Sequence, residues 1–230
     1  MAQNSALKPL SLLLEYTFEN EALLAEALTH RSAASVNNER LEFLGDGILN
    51  FVIAACLFEQ YTDMNEGDLS RLRASLVNKD SLADIAKMLE LGQYIKLGSG
   101  ELKSGGRRRD SILADAVEAI FGAVYIDSGF GTCRNLILRL YAEKLKNIPD
   151  VQTLKDPKTS LQELLQSRRY PIPEYTVLEV TGKAHNQMFK VECSIEGLDC
   201  VTTAQGRSRR KAEQAAAKLA IEEVSKKIAS

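Results

Sequence analysis

One feature constrains this chain more than any other: its hydrophobic period changes across a proline-containing break. Up to about residue 147, apolar residues recur at helical spacing. The stretch Ile148-Pro149-Asp150-Val151-Gln152-Thr153-Leu154-Lys155-Asp156-Pro157 carries two prolines and no period, the mark of a linker. Beyond it, Phe189, Val191, Cys193 and Ile195 alternate with Lys190, Glu192, Ser194 and Glu196, a period of two. The pattern predicts an all-α domain over 1–147, a linker over 148–155 and a small α+β domain over 156–227. A length of 230 residues suits two modest domains.

Within the first part, helices are predicted over 20–28, 39–61, 68–77 and 81–89. A further helix starts near Asp110 and is stopped by Gly129, and a last one covers 131–146. Ile48 to Phe58 is apolar on almost every side, so it belongs at the domain centre. Glycines make 98–106 a loop by composition. The second part reads helix (159–167), strand (175–181), strand (189–195), strand (198–205) and helix (208–227), an α-β-β-β-α order.

Several function classes fall away. No apolar run approaches the roughly 20 residues of a membrane span, and the first residues lack a basic and then apolar leader. The expectation is a cytoplasmic chain with no membrane partner. Cys56, Cys133, Cys193 and Cys200 are far apart and form no C-x-x-C pair, which argues against zinc and redox motifs. With His30 and His185 the only histidines, a histidine nucleophile or a histidine-rich metal site is not expected. No phosphate-binding glycine loop of the G-x-x-x-x-G-K-[ST] type is present. The net charge of -2 is unevenly spread: residues 156–230 carry 12 basic and 10 acidic side chains, so the acidic excess lies before them.

The acids of that first part form a pattern. Glu39, Glu42 and Asp46 stand at i, i+3 and i+7 on one face of a predicted helix. Asp115 and Glu118 repeat the i, i+3 spacing on a second apolar helix. Clustered carboxylates repel one another, and solvent or a cation relieves them. Mg²⁺ takes such oxygen ligands and can activate water for phosphodiester hydrolysis. The same spacing is also that of an ordinary solvated helix face, and spacing alone does not bring the two helices together.

Asn38-Glu39-Arg40-Leu41-Glu42-Phe43-Leu44-Gly45-Asp46 resembles the signature stretch of the ribonuclease III family. Leu28-Thr29-His30-Arg31-Ser32, Glu66-Gly67-Asp68-Leu69-Ser70 and Asp110-Ser111-Ile112-Leu113-Ala114-Asp115-Ala116-Val117-Glu118-Ala119 are similar to that family too, in the same order. The resemblance implies a double-stranded RNA endonuclease. It implies that Glu42, Asp115 and Glu118 ligate Mg²⁺, with Mn²⁺ able to substitute. Asp46 would hold the metal site and its water in place, and Glu118 would be both ligand and catalytic. Glu39 and Glu66 correspond to auxiliary acidic positions near the scissile strand. Phe43 resembles an aromatic that packs into the partner of a homodimer, in which each of two sites cuts one strand. Products would carry 5′-phosphate and 3′-hydroxyl ends with short 3′ overhangs, and ribosomal and other structured RNA precursors would be the substrates. Arg107-Arg108-Arg109 either touch phosphate or pair with local acids.

In the second part, Ser208 is a good N-cap, and Arg209, Arg210 and Lys211 occupy the first turn after it. Cations there oppose the helix dipole, which predicts an anion to meet, such as RNA phosphate. Pro173-x-Tyr175, Gly182-x-x-His185 and Phe189-x-Val191 resemble the strand pattern of double-stranded RNA-binding domains. That resemblance places Gln162 and Glu163 on one minor groove and the His185 loop on the next, with recognition of A-form shape. Two other readings stand beside the nuclease: a double-stranded RNA-binding regulator that does not cut, and a metal phosphohydrolase of small molecules. A pure binder gains nothing from acids that repel phosphate, and a small substrate needs no duplex clamp.

Overall fold

The computed structural model describes residues 7–183 and 186–229. They fall into two compact units, Met1–Val151 and Gln152–Ser230.

The first unit is helical. In chain order it contains α1 (Lys8–Leu13), α2 (Glu21–Ala27), α3 (Glu39–Gln60), α4 (Glu66–Leu76), α5 (Lys79–Met88), α6 (Ser99–Lys103), α7 (Asp110–Leu140) and α8 (Ala142–Lys146), with 3₁₀ turns at Leu91–Gln93 and Gly106–Arg108. Three asparagines start helices by accepting backbone N–H bonds: Asn20 from Ala22, Asn65 from Asp68 and Asn78 from Ser81, at 3.1, 3.0 and 2.8 Å. The core is built on α3 and α7, which pack along each other, with α2 and α5 against α7. By length and apolar content, α3 alone among the described helices would be long enough to cross a membrane. Here its residues Leu41, Gly45, Ile48, Leu49, Val52, Ile53 and Leu57 are buried in the domain, and Glu39, Glu42 and Asp46 line its first turns.

The sequence pattern and the structure differ at three places in this region. α1 was not expected; it is short, and Leu10 and Leu14 are its buried anchors. The glycine-rich 98–106 stretch is not a loop throughout, because α6 forms inside it. Gly129 breaks the helical geometry as expected (φ 78, ψ 179), so α7 is two helical stretches across a kink, but the second ends at Leu140 where the pattern carried it to 146. Farther along, the expected linker holds a short helical turn, α9 (Val151–Leu154).

The second unit contains α10 (Pro157–Ser167), β1 (Glu174–Thr181), β2 (Met188–Ile195), β3 (Cys200–Gly206) and α11 (Arg209–Ala229). The three strands form an antiparallel meander in which Val191 pairs with Val177 on one side and Ala204 on the other. A bulge between Val177 and Glu179 shifts the register of β1. Leu161 and Leu165 of α10 pack with Cys193 and Ile195 of β2 and with Ala216, Ala220 and Val224 of α11. The small alanines let α11 lie close to the sheet. α10 begins two residues before the predicted start, because Asp156 caps it by accepting the Lys158 N–H at 2.9 Å.

Candidate active site and RNA-binding surface

The carboxylates of the two apolar helices do meet. One oxygen each from Glu42, Asp115 and Glu118 lies within 4.8 Å of the other two, and all three side chains are half-buried. Backbone contact between α3 and α7 brings this about. A Cβ on Gly45 would lie 1.8 Å from the Glu118 carbonyl oxygen, and one on Gly122 would lie 2.2 Å from that of Leu41. Only glycine permits this approach. Glu42 sits one turn before Gly45, and Glu118 one turn before Gly122, so the crossing faces acid against acid.

Nearby cations relieve the cluster only in part. Burial, then Asp46, Glu42 and Asp115, push the Glu118 carboxyl up to about 8. Burial, then Asp115 and Glu39, push Glu42 up to about 6. Burial also raises Asp115, opposed by His30, Lys79 and Arg31. Half-buried acids that repel at this range suit a hard cation, since it would meet oxygen ligands and leave room for water.

The other predicted acids lie differently. Asp46 is exposed on α3 and accepts a 2.8 Å bond from the Asn50 side chain; its charge acts on both Glu42 and Glu118. Glu39 is exposed and pairs with Arg31 at 3.4 Å. Glu66 heads α4, exposed, and accepts a 3.0 Å bond from Ser70; it is not among the three converging carboxylates. A cleft of about 300 Å³ opens on Glu42 and Asp115. His30, Arg31, Asn38, Glu101, Arg109 and Ser111 also line it; of these, only Arg109 had a candidate role from the sequence pattern. Their signal was spatial: they come from separate stretches of chain. Of the three consecutive arginines, two are held by the protein itself. Arg109 donates to Glu101 at 2.6 Å, and Arg107 donates to the carbonyls of Gly92 and Gln93.

Residues 20–145 match the family described as Ribonuclease-III-like, and residues 157–224 match the Double-stranded RNA binding motif. The chain is 57% identical to Ribonuclease 3 of Vibrio vulnificus over 96% of its length and 98% of that protein's. It is 58% identical to Ribonuclease 3 of Bordetella petrii, over 94% and 86%. It belongs to the ribonuclease III family. Among solved structures, the nuclease domain of ribonuclease III from Campylobacter jejuni matches with a TM-score of 0.59 and 46% identity, covering 60% of this chain and 96% of that one. The description of that structure refers to structural flexibility in a region involved in dimer formation of its nuclease domain. This ribonuclease III is therefore an endoribonuclease for double-stranded RNA, with a helical nuclease domain followed by an RNA-binding one.

In the ribonuclease III fold of this chain, α3 and α7 also share an exposed aromatic face. Phe43, at 83% exposure, precedes the exposed Phe51 and Phe58 on α3, and the Phe51 ring lies 5.7 Å from that of Phe130. Large exposed aromatic side chains grouped in this way exceed the singly scattered apolar residues of an ordinary surface.

In the RNA-binding unit, Ser208 accepts the Lys211 N–H at 3.2 Å and so caps α11. Arg209, Arg210 and Lys211 are exposed. Acids of the domain already meet two of them. Arg209 donates to Glu213 at 2.8 Å, and Arg210 lies 3.6 Å from Asp156. Gln162 and Glu163 are exposed on α10, with Glu163 accepting from Lys155. His185 lies outside the described residues.

Proposed function

We propose that this ribonuclease hydrolyses both strands of structured RNA duplexes with Mg²⁺ held by Glu42, Asp115 and Glu118, and Mn²⁺ as a substitute. The observation that carries this reading is the convergence of those three carboxylates within 4.8 Å at the α3–α7 crossing. When bound, the ion would supply an activated water and neutralise charge on the phosphodiester. Asp46 orients that region from the next turn of α3, held by Asn50. Glu118 serves both as ligand and as catalytic acid group, and Glu39 and Glu66 act as auxiliary acids near the scissile strand. Products are 5′-phosphate and 3′-hydroxyl ends with short 3′ overhangs, and the substrates are ribosomal and other structured RNA precursors in the cytoplasm.

In this reading the catalytic domain spans 1–147, 148–155 is the linker and 156–227 grips the duplex. Gln162, Glu163 and His185 contact minor grooves, and Arg209, Arg210 and Lys211 meet phosphates. The exposed phenylalanine face, Phe43 included, supports a homodimer. The deciding experiment incubates the full chain with a labelled RNA duplex, with and without Mg²⁺, beside single-stranded RNA and a DNA duplex. Cleavage of the RNA duplex alone, only with Mg²⁺ and leaving 5′-phosphates, supports the reading. Tight binding without cutting overturns it in favour of a regulator.

A further inference from the structure

His30 lies between α2 and α3, in a stretch that the core does not absorb. Its backbone is fixed first. The His30 N–H donates to the Lys96 carbonyl at 3.0 Å, and the Lys96 N–H donates to the Leu28 carbonyl at 2.8 Å, so the two segments are clamped at a parallel bridge. Its ring is fixed next. The backbone N–H of Ser32 donates to Nδ1 at 3.2 Å, and the Ser32 hydroxyl sits 2.8 Å from the same nitrogen. The Gly98 N–H donates to that hydroxyl oxygen at 2.9 Å. Gly98 can do this because it has no side chain: a Cβ there would lie 2.3 Å from the Ser32 carbonyl oxygen.

This chain of donors has one consistent assignment. An N–H pointing at Nδ1 requires a lone pair there, so the ring proton is on Nε2. The Ser32 hydroxyl accepts from Gly98 and donates to Nδ1. Among the described residues nothing bonds to Nε2. The ring lines the same cleft of about 300 Å³ as Glu42 and Asp115. With its lone pair turned away on Nδ1, His30 is set up as a donor and cannot ligate a metal through Nε2. A cleft whose floor is acidic rejects an incoming phosphate, so a donor held on its wall has an obvious use.

We propose that His30 is a substrate-contacting residue whose Nε2–H donates to a phosphate oxygen of the scissile RNA strand, and that Ser32 is the positioning residue that fixes its ring. This rests on the reading of the cleft as a phosphodiester hydrolase and adds to it a donor outside the acidic set. An N–H donor suits the task because it can bind phosphate oxygen where the neighbouring acids repel it.

Two measurements on the full chain test it. The first is the nitrogen NMR spectrum of histidine-labelled protein free of divalent ions, with His30→Gln used to assign the signal. A single tautomer protonated on Nε2, lost in Ser32→Ala, is expected; a proton on Nδ1 overturns the proposal. The second is single-turnover cleavage of a labelled RNA duplex with Mg²⁺, alongside duplex affinity measured without divalent ions. His30→Ala is expected to slow cleavage by about 10- to 100-fold, as for loss of one preorganised donor, with affinity nearly unchanged. His30→Gln, whose amide N–H reaches the Nε2 position, restores most of the rate, and His30→Asn, whose amide reaches only the Nδ1 position, does not. Cleavage by His30→Ala at the wild-type rate, or a His30→Gln variant as slow as His30→Ala, overturns the proposal while leaving the nuclease reading intact. A wild-type chain that does not cut overturns both. Should His30→Ala fail to fold, Ser32→Ala and the Gln–Asn pair carry the same test.

Discussion

At the α3–α7 crossing, three carboxylates converge within 4.8 Å, and none has a cation bonded to it among the described residues. At the start of α11, by contrast, two of the three cations already have acids of their own. Glu213 takes both Lys158, at 2.6 Å, and Arg209, at 2.8 Å, while Asp156 faces Arg210. The first arrangement leaves like-charge repulsion standing, so protons or an ion from outside must relieve it. The second is neutralised in part within the domain. Its side chains are held in place before RNA arrives, which reduces the entropy lost on binding. Charge that is left unmatched points to chemistry with an ion; charge that is matched but exposed points to a docking surface.

The largest way to break this contrast is to remove an acid from the unmatched site. Glu118→Ala should lower cleavage of an RNA duplex by at least about 100-fold, while duplex binding measured by gel shift stays near wild type. Loss of both activities in a folded variant would show that the two units do not divide the work.

Next comes the backbone contact that creates the cluster. Gly45→Ala adds a Cβ 1.8 Å from the Glu118 carbonyl, so α3 and α7 must separate. Overpacking of this kind costs about 1–3 kcal/mol, against up to about 1 kcal/mol of better helix propensity. Thermal unfolding should fall, and cleavage should fall with it. A more stable Gly45→Ala would mean that the crossing is not held by this contact.

The repulsion also has a pH signature. The Glu118 carboxyl is raised from 4.5 to about 8 in the folded chain, so over that range the folded chain holds more protons than the unfolded one. Stability without metal should therefore fall as pH rises from 4.5 to 8, more steeply in the wild type than in Glu118→Gln. Added Mg²⁺ should raise the wild-type melting temperature at the alkaline end, more than that of the variant. Parallel pH curves for the two proteins would remove the unmatched charge from the account.

The smallest effects belong to the RNA-binding surface. Lys211→Ala should weaken duplex binding evenly across sequences and lower the salt slope by about one. Arg209→Ala should do the same and also leave Glu213, 8% exposed, with one partner fewer. Its melting temperature should therefore drop where that of Lys211→Ala does not. Equal melting temperatures would show that Glu213 does not depend on Arg209.

These features were unevenly legible in the sequence. α3 and α7 stand out because they are long and apolar, and the β2 alternation survives because one face of that strand is buried. The i, i+3 carboxylates were visible as pairs within each helix. Their meeting was not, because it depends on a contact between two backbones. The sign of it lay in Gly45 and Gly122, placed mid-helix where glycine costs stability and so calls for a reason. α1 was missed because six residues carry too little period to register. α6 was missed because flanking glycines disguise a short helix as a loop. His30 was set aside as one of only two histidines, and only the fold brings Ser32 and Gly98 around it.

The glycine crossing has one more consequence. The two main chains that carry the acids are in contact, which limits how far apart the acids can be held, so the crossing would act as a gauge for the radius of an ion bound there. Mg²⁺ bonds oxygen at about 2.0–2.1 Å and Ca²⁺ at about 2.3–2.6 Å. A methyl group wedged at Gly45 would open that gauge toward the larger ion. Discrimination between metals would then reside in a residue with no side chain at all.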